Sequence, residues 1–482
     1  MDLPGNKYQD IQMALLSIFF DGISFLLNIF IGDIIMSSPS FSYQTDTLKQ
    51  IADDILCCAK KGGASSCETD ISEGFGQNVT VRKSEVETIE YNRDKGLSVT
   101  VYIGQKRGHA STSDFSKQAV NDAVAAALSI AKHTAEDDCA GLADTNLLAQ
   151  KFPDLDLYHP WNLSIDEAIQ LAQTCEDNAF GIDKRINNSE GACISLSESQ
   201  FIYANSSGFI GGYPTSRHSI SCAVIAGQND AMQRDYWYSV ARDANDLESA
   251  EYVGKRAGMR SAARLGAKKL ATCEVPVLFE APVAAGLIGH FIGAISGASL
   301  YRKSSFLLDS IGKKVFSPDI QIHELPHIKK GLASSVFDNE GVSTQERKII
   351  ENGIVQGYFL GSYSSRKLGL CTSGNAGGNH NITINNSSPL EFSDMLKKMG
   401  KGLLVTELLG QGVNPVTGDY SRGAAGYWVE GGEICYPVEE ITIAGNLKDM
   451  LGDISEIGSD VAVHGSKQSG SLLVKKMTVA GG

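Results

Sequence analysis

KGLLVTELLGQGVNPVTGDYSRGAAGYWVEGGE, residues 401–433, breaks into short apolar runs separated by glycine-rich turns. Runs of that length between turn signals read as strands of a mostly β domain, closed or barrel-like. The same texture holds from residue 273 to residue 482, which is assigned as one C-terminal domain.

Upstream the pattern changes. Leu48, Ile51, Ala52, Ile55, Leu56 and Ala59 recur at helical spacing, with Thr45 or Asp46 able to cap the start and Lys60, Lys61, Gly62 and Gly63 closing the end. Val79 with Val81, then Leu97, Val99, Val101 and Ile103, alternate as half-buried strands do, and Arg93-Asp94-Lys95-Gly96 supplies hairpin chemistry between them. A second helix is expected over Lys117–His133. The order then repeats. Ser164-Ile165-Asp166-Glu167 is a capping box, strands are expected around Cys193–Ser197, Gln200–Tyr203 and Ser219–Ala226 with a turn at Asn205–Gly208, and a helix is expected over Leu247–Leu270. The prediction is an α+β chain: two helix/antiparallel-strand modules, residues 42–150 and 151–272, followed by the glycine-rich β domain 273–482.

At 482 residues the chain exceeds what one core usually serves, and 42% apolar residues, 20% charged residues and 50 glycines describe a folded, turn-rich protein. Acidic residues number 56 against 42 basic ones, a net charge of −14, so the surface repels phosphate backbones and anionic lipid; neither nucleic acid nor a membrane is an expected partner. Ten cysteines without a C-x-x-C pair point to a reducing compartment. Residues 1–41 form an atypical apolar extension. Met13–Met36 is long enough to span a bilayer, but Asp21 and Asp33 interrupt it and only Lys7 precedes it. We read it as an upstream extension with Met36 as the working start; a membrane anchor or a docked apolar helix are the alternatives.

His323-Glu324-Leu325-Pro326-His327 matches H-E-x-x-H, in which two imidazoles one helical turn apart bind zinc and the glutamate takes a proton from metal-bound water. Pro326 opposes a helix there, because it lacks an N–H and its ring clashes with the carbonyl of Ile322. A surface loop with solvated histidines is expected, with a self-sufficient zinc peptidase using His323 and His327 as the alternative. Residues 371–381 form a glycine- and asparagine-rich loop whose backbone can approach a ligand closely; His380, with Asn379 beside it, is a candidate acid or base, and a Cys371/His380 dyad rests on proximity alone. Residues 410–423 do not match a phosphate-binding loop. Asp419 and Arg422 are expected to pair across a turn or else to line a cleft with Tyr420.

Gly286–His290, Ala298–Asp309, Lys330–Ser334, Asn375–Gly378, Val405–Gly426 and Glu440–Lys448 resemble, in order, the PmbA/TldE branch of the TldD/PmbA metalloprotease family, over about Ser42 to Gly482. The resemblance implies a cytoplasmic bacterial protein that pairs with a homologous TldD-like subunit to make a zinc-dependent peptidase. It also implies substrates that are unfolded or extended peptides, including antibiotic-peptide precursors and antitoxins. An older family name links these proteins to DNA gyrase. TldD-type chains carry an H-E-x-x-x-H helix just before G-L-x-G. Here Glu280 and Ala285 stand at the histidine positions, Ala281 at the general-base position, and Ser469 near an expected thiol ligand. Catalytic residues of this chain are therefore left unassigned, no cofactor is expected in it, and zinc is expected in the partner subunit. A non-proteolytic regulatory binding protein is the reading of a different class.

Overall fold

The helices that open each N-terminal module start where the sequence offers a cap. In the computed structural model, which describes residues 41–481, α1 (Thr45–Lys61) buries Leu48, Ala52, Ile55 and Ala59 along one stripe. The Ser116 hydroxyl accepts the Ala119 N–H at the start of α2 (Lys117–His133). Ser164 and Glu167 close a reciprocal capping box ahead of α3 (Ile165–Phe180), and the Ser249 hydroxyl accepts the Tyr252 N–H at α4 (Ala250–Ala263). The last helix is shorter than Leu247–Leu270 because Ser249 caps it late and the chain turns left-handed at Gly266, φ +76°. The apolar stretch Met13–Met36 lies outside the described residues, among which no helix is long and apolar enough to cross a membrane.

The strands of both modules join one antiparallel sheet: β1 (Ser66–Arg82), β2 (Glu85–Ile103), β3 (Lys106–Thr112), β4 (Ile186–Asn205), β5 (Ile210–Gly211), β6 (Pro214–Ala226) and β7 (Gln233–Ala241). Their spatial order is β3-β2-β1-β4-β6-β7, with β5 on β4, so the modules meet along the β1/β4 pair. The two short strands expected over 193–203 are parts of the single strand β4. Cores cross this seam. α1 and α2 cover Ile71 and Val99 together with Ile202 and Ala204 of β4, while α3 and α4 cover Ile194 and Val224 together with Val79 and Val81 of β1.

The β1/β2 hairpin turns at Lys83-Ser84, not at Arg93–Gly96, which lies inside β2. Lys83 (φ 54°) and Ser84 (φ 62°) both take the left-handed conformation of a two-residue hairpin turn without being glycine. What fixes them is distant in sequence: the carboxylate of Glu176, fully buried on α3, accepts both of their backbone N–H groups at 2.9 and 2.8 Å. Turn composition at Arg93–Gly96 is overridden by that tertiary capture.

Close approach of α3 and α4 rests on Gly254 and Gly258. A Cβ at Gly254 would stand 1.9 Å from the Cys175 carbonyl oxygen. Gly254→Ala is therefore expected to lose about 1–3 kcal/mol of stability in chemical denaturation, despite alanine's better helix propensity; an unchanged or raised midpoint would refute this close contact.

The C-terminal half contributes β8 (Cys273–Phe279), β9 (Gln321–Glu324), β10 (Arg347–Glu351), β11 (Ile354–Val355), β12 (Ile382–Asn385) and β13 (Gly402–Leu409). After them come β14 (Asp419–Glu430), β15 (Glu433–Asn446), β16 (Ile454–Ile457), β17 (Ala462–Val463), β18 (Lys467–Ser469) and β19 (Leu472–Ala480). Pairing in the order β15-β14-β13-β8-β19 and back to β15 closes a five-stranded barrel, which removes its edges. A second sheet runs β11-β10-β9-β12-β18-β17. The apolar helix α5 (Ala281–Ala294) inserts Leu287, Ile288 and Phe291 into the core shared by barrel and sheet.

Candidate functional site

The glycine-rich loop 371–381 is the wall of a cleft of about 810 Å³ whose other wall is the N-terminal sheet. Alternation along β1 sends Cys67 and Ile71 toward α1 and α2 and leaves Glu68 and Asp70 for the cleft. Register then aligns Glu68 with Thr100 and Thr100 with His109 across β1, β2 and β3. The Glu68 carboxylate accepts the hydroxyls of Tyr102 (3.0 Å) and Tyr203 (2.8 Å), and burial raises its proton affinity above that of an ordinary carboxylate.

From the C-terminal domain come Asp338, Glu340, Asn379 and His380. His380 is anchored from behind. Glu324, 1% exposed, accepts the His380 ring Nδ1–H at 3.0 Å and its backbone N–H at 2.8 Å on one oxygen, and the Arg347 guanidinium at 2.7 Å on the other. Asn375 bridges the same groups, donating to Glu324 at 2.7 Å and accepting from Arg347 at 2.8 Å. Burial pushes the Glu324 carboxyl up, but the His380 ring and the Arg347 guanidinium more than offset this and hold it below the usual range. The Glu324 contact at Nδ1 orients the ring that lines the cleft and leaves Nε2 uncommitted to Glu324.

Asp338 accepts backbone N–H groups from Glu340, Val342 and Ala376 at 2.9–3.0 Å, yet burial and the neighbouring Glu340 raise it to about 6. Because its folded-state proton affinity exceeds that of an ordinary aspartate near pH 3.9, the native state binds the extra proton, and stability falls as pH rises between about 4 and 6. Wild type minus Asp338→Asn, compared by denaturation across that window, should lose on the order of 3 kcal/mol as the pH rises and level off above it; a difference independent of pH would contradict the assignment.

The other predicted positions separate. His323 and Glu324 are neighbours on strand β9, so their side chains take opposite faces, and His327 lies on the following turn, its Nε2 3.0 Å from the Thr344 hydroxyl. That is neither the metal-binding helix nor the solvated loop: Pro326 excludes the helix, and pairing of β9 with β10 and β12 buries Glu324. Cys371 is exposed, and His380 spends Nδ1 on Glu324. Asp419 and Arg422 do not pair, because strand alternation on β14 places them on opposite faces. Asp419 is exposed and accepts from Thr417 and Asn446, whereas Tyr420 is core, so these three do not share the cleft with His380. Nothing local in the sequence marks Glu68 or Asp338 as cleft residues, or Arg347 as the cation behind the loop, since only the tertiary fold brings them there.

At the start of α5, Glu280 is the N-cap residue, and its two oxygens accept Arg260 Nη1 at 2.8 and 2.9 Å. Arg260 Nε also donates to Asp235 at 3.1 Å, and Arg264 pairs with Glu407. Burial raises Glu280, opposed by the Arg260 charge. Ser469, fully buried on β18 against α5, donates its hydroxyl to the Gly470 carbonyl. This donor set does not fit zinc: Ala281 and Ala285 offer methyl groups, Ser469 a committed hydroxyl, and Glu280 a carboxylate already neutralised. Among the described residues no group of three His, Cys, Asp or Glu is arranged to hold a metal ion.

Three family models match the chain: PmbA/TldA metallopeptidase domain 1 over residues 67–131, the central domain over 158–265 and the C-terminal domain over 272–481. It is 48% identical to the metalloprotease PmbA of Escherichia coli O157:H7 over 441 residues, covering 91% of this chain and 98% of that one. A crystal structure of a candidate modulator of DNA gyrase from Bacteroides thetaiotaomicron superposes with a TM-score of 0.86 at 26% identity, covering 91% of this chain and 99% of that one. TldE of Thermococcus kodakarensis shares the fold, with a TM-score of 0.79 at 20% identity over 89% and 100% of the two chains. Identity of this extent, spread over all three domain models, makes the chain a member of the PmbA branch of the PmbA/TldD metallopeptidase family.

Proposed function

We propose that this chain is the peptide-holding, metal-free subunit of a two-subunit metallopeptidase, acting in the cytoplasm on unfolded or extended peptides while a TldD-like partner supplies the zinc chemistry. The observation that carries the reading is the fate of the metal position: Glu280, Ala281, Ala285 and Ser469 cannot assemble a ligand set, and Arg260 occupies the one carboxylate that remains. An open cleft lined by backbone-rich loop 376–380 on one side and sheet on the other suits a substrate recognised through its main chain. The Glu324–His380 pair gives that cleft an imidazole held in a fixed orientation. Ten unpaired cysteines accord with a reducing compartment.

The test is cleavage of an unfolded peptide, with zinc content, by the purified chain, by a TldD-like partner and by their mixture. Activity that requires both chains supports the reading. A partner that cleaves equally fast alone would remove it, as would zinc-dependent cleavage by this chain that disappears in His323→Ala.

A further inference from the structure

Beside the start of α5 lies a second pocket, about 530 Å³, whose walls include Trp237, Tyr238, Arg260, Thr406, Arg422 and His464. Its charges are unbalanced. Arg260 is matched by Asp235 and Glu280, and the pocket's own carboxylate, Glu407, is held by Arg264. Among the described residues no carboxylate pairs with Arg422, which runs beside the Tyr420 hydroxyl and close to His290. The wall also holds polar atoms whose demand the protein leaves unmet: Arg422 Nε, His464 Nδ1 and Thr406 Oγ1 are buried without a hydrogen-bond partner. Native interiors rarely tolerate several such atoms around one cavity unless a ligand or water meets them.

The aromatic side of the pocket belongs to a free sheet edge. β7 is the terminal strand of the seven-stranded sheet, no strand among the described residues pairs with its outer edge, and Arg234, Tyr236, Trp237 and Tyr238 of that strand line the pocket. His464 is clasped there, its ring 4.3 Å from Tyr238 and 5.5 Å from Trp237. An unpaired edge takes an extended peptide as one more strand, through main-chain hydrogen bonds.

We infer that the outer edge of β7 binds an extended peptide whose carboxylate seats in the Arg422/His464 pocket, so that this chain recognises a free peptide C-terminus. An acidic side chain offers the same chemistry from a different source. The inference deepens the subunit reading but is tested on the lone chain by binding, so that it can fail while partner-dependent cleavage persists.

The experiment is fluorescence anisotropy of a labelled, unfolded ten-residue peptide on the full chain, with three versions: free C-terminal acid, C-terminal amide, and amide with one internal glutamate. The acid should bind at least about tenfold tighter than the amide, the worth of a charge-assisted contact with an uncompensated guanidinium. Arg422→Gln should erase that ratio. Equal binding of acid and amide, no binding of either, or a ratio untouched by Arg422→Gln overturns the proposal. Recovery by the glutamate peptide to the level of the free acid overturns the assignment to a chain terminus. The acid/amide comparison uses the wild-type chain and stands even if the variant does not fold.

Discussion

Replacing Glu324 by alanine should cost about 3–5 kcal/mol of unfolding free energy, among the largest single-residue effects in the molecule. The carboxylate is buried and receives the Arg347 guanidinium, the Asn375 amide and two groups of His380. Deleting it leaves a guanidinium in the interior with only the Tyr358 carbonyl and Asn375 as hydrogen-bond partners and removes the acceptor that orients His380. Denaturant titration checks the magnitude, and the ring resonances of His380 check the orientation. A loss below about 1 kcal/mol would mean that water screens the pair as it does an exposed one. Arg347→Met in the same background should recover part of the loss, because an empty pair is less costly than a lone charge.

Arg260→Ala should cost a similar amount, about 3–5 kcal/mol, for the converse reason. It strips the cation from two largely buried acids, Asp235 and Glu280, and Glu280 is already raised by burial. In the variant Glu280 loses that opposing charge, so its proton affinity should rise further. Its folded-state affinity then lies above the unfolded value of about 4.3, so the variant should lose stability steadily as pH rises beyond that value. Thermal unfolding of the variant between pH 5 and 8 measures the slope, and the double change Arg260→Ala, Glu280→Ala should flatten it. A variant with the wild-type pH profile would show that the two carboxylates are solvated without Arg260.

Local order was legible wherever a short-range rule decided it. Ser164 and Glu167 announced a helix start because both partners of the capping box lie within four residues, and Leu48, Ala52, Ile55 and Ala59 announced a buried stripe through their spacing. The glycine-punctuated runs of 401–433 announced short strands, and two of those runs form barrel strands β13 and β14. What failed depended on distant partners. Arg93–Gly96 has hairpin composition, but Glu176 captures Lys83 and Ser84 from more than ninety positions downstream and puts the turn there. Asp419 and Arg422 looked like a pair on sequence separation, and strand alternation parts them. Glu280 stood out as a departure from the family's metal-binding pattern, whereas Arg260, which pairs with it, carried no mark in the sequence.

The crossing of cores at the β1/β4 seam has a consequence for how the chain can be divided. Val79 and Val81 belong to the first module by sequence and to the second by burial, while Ile202 and Ala204 are their counterparts in reverse. A fragment ending near residue 150 would present a bare valine-lined strand end, and its turn would lack the carboxylate of Glu176. Neither fragment completes its own core. Severed in the connecting segment and expressed together, the two pieces would find in each other the lids they lack, so the junction behaves as a clasp between complementary halves. The chain would thus tolerate a nick there far better than the loss of either half.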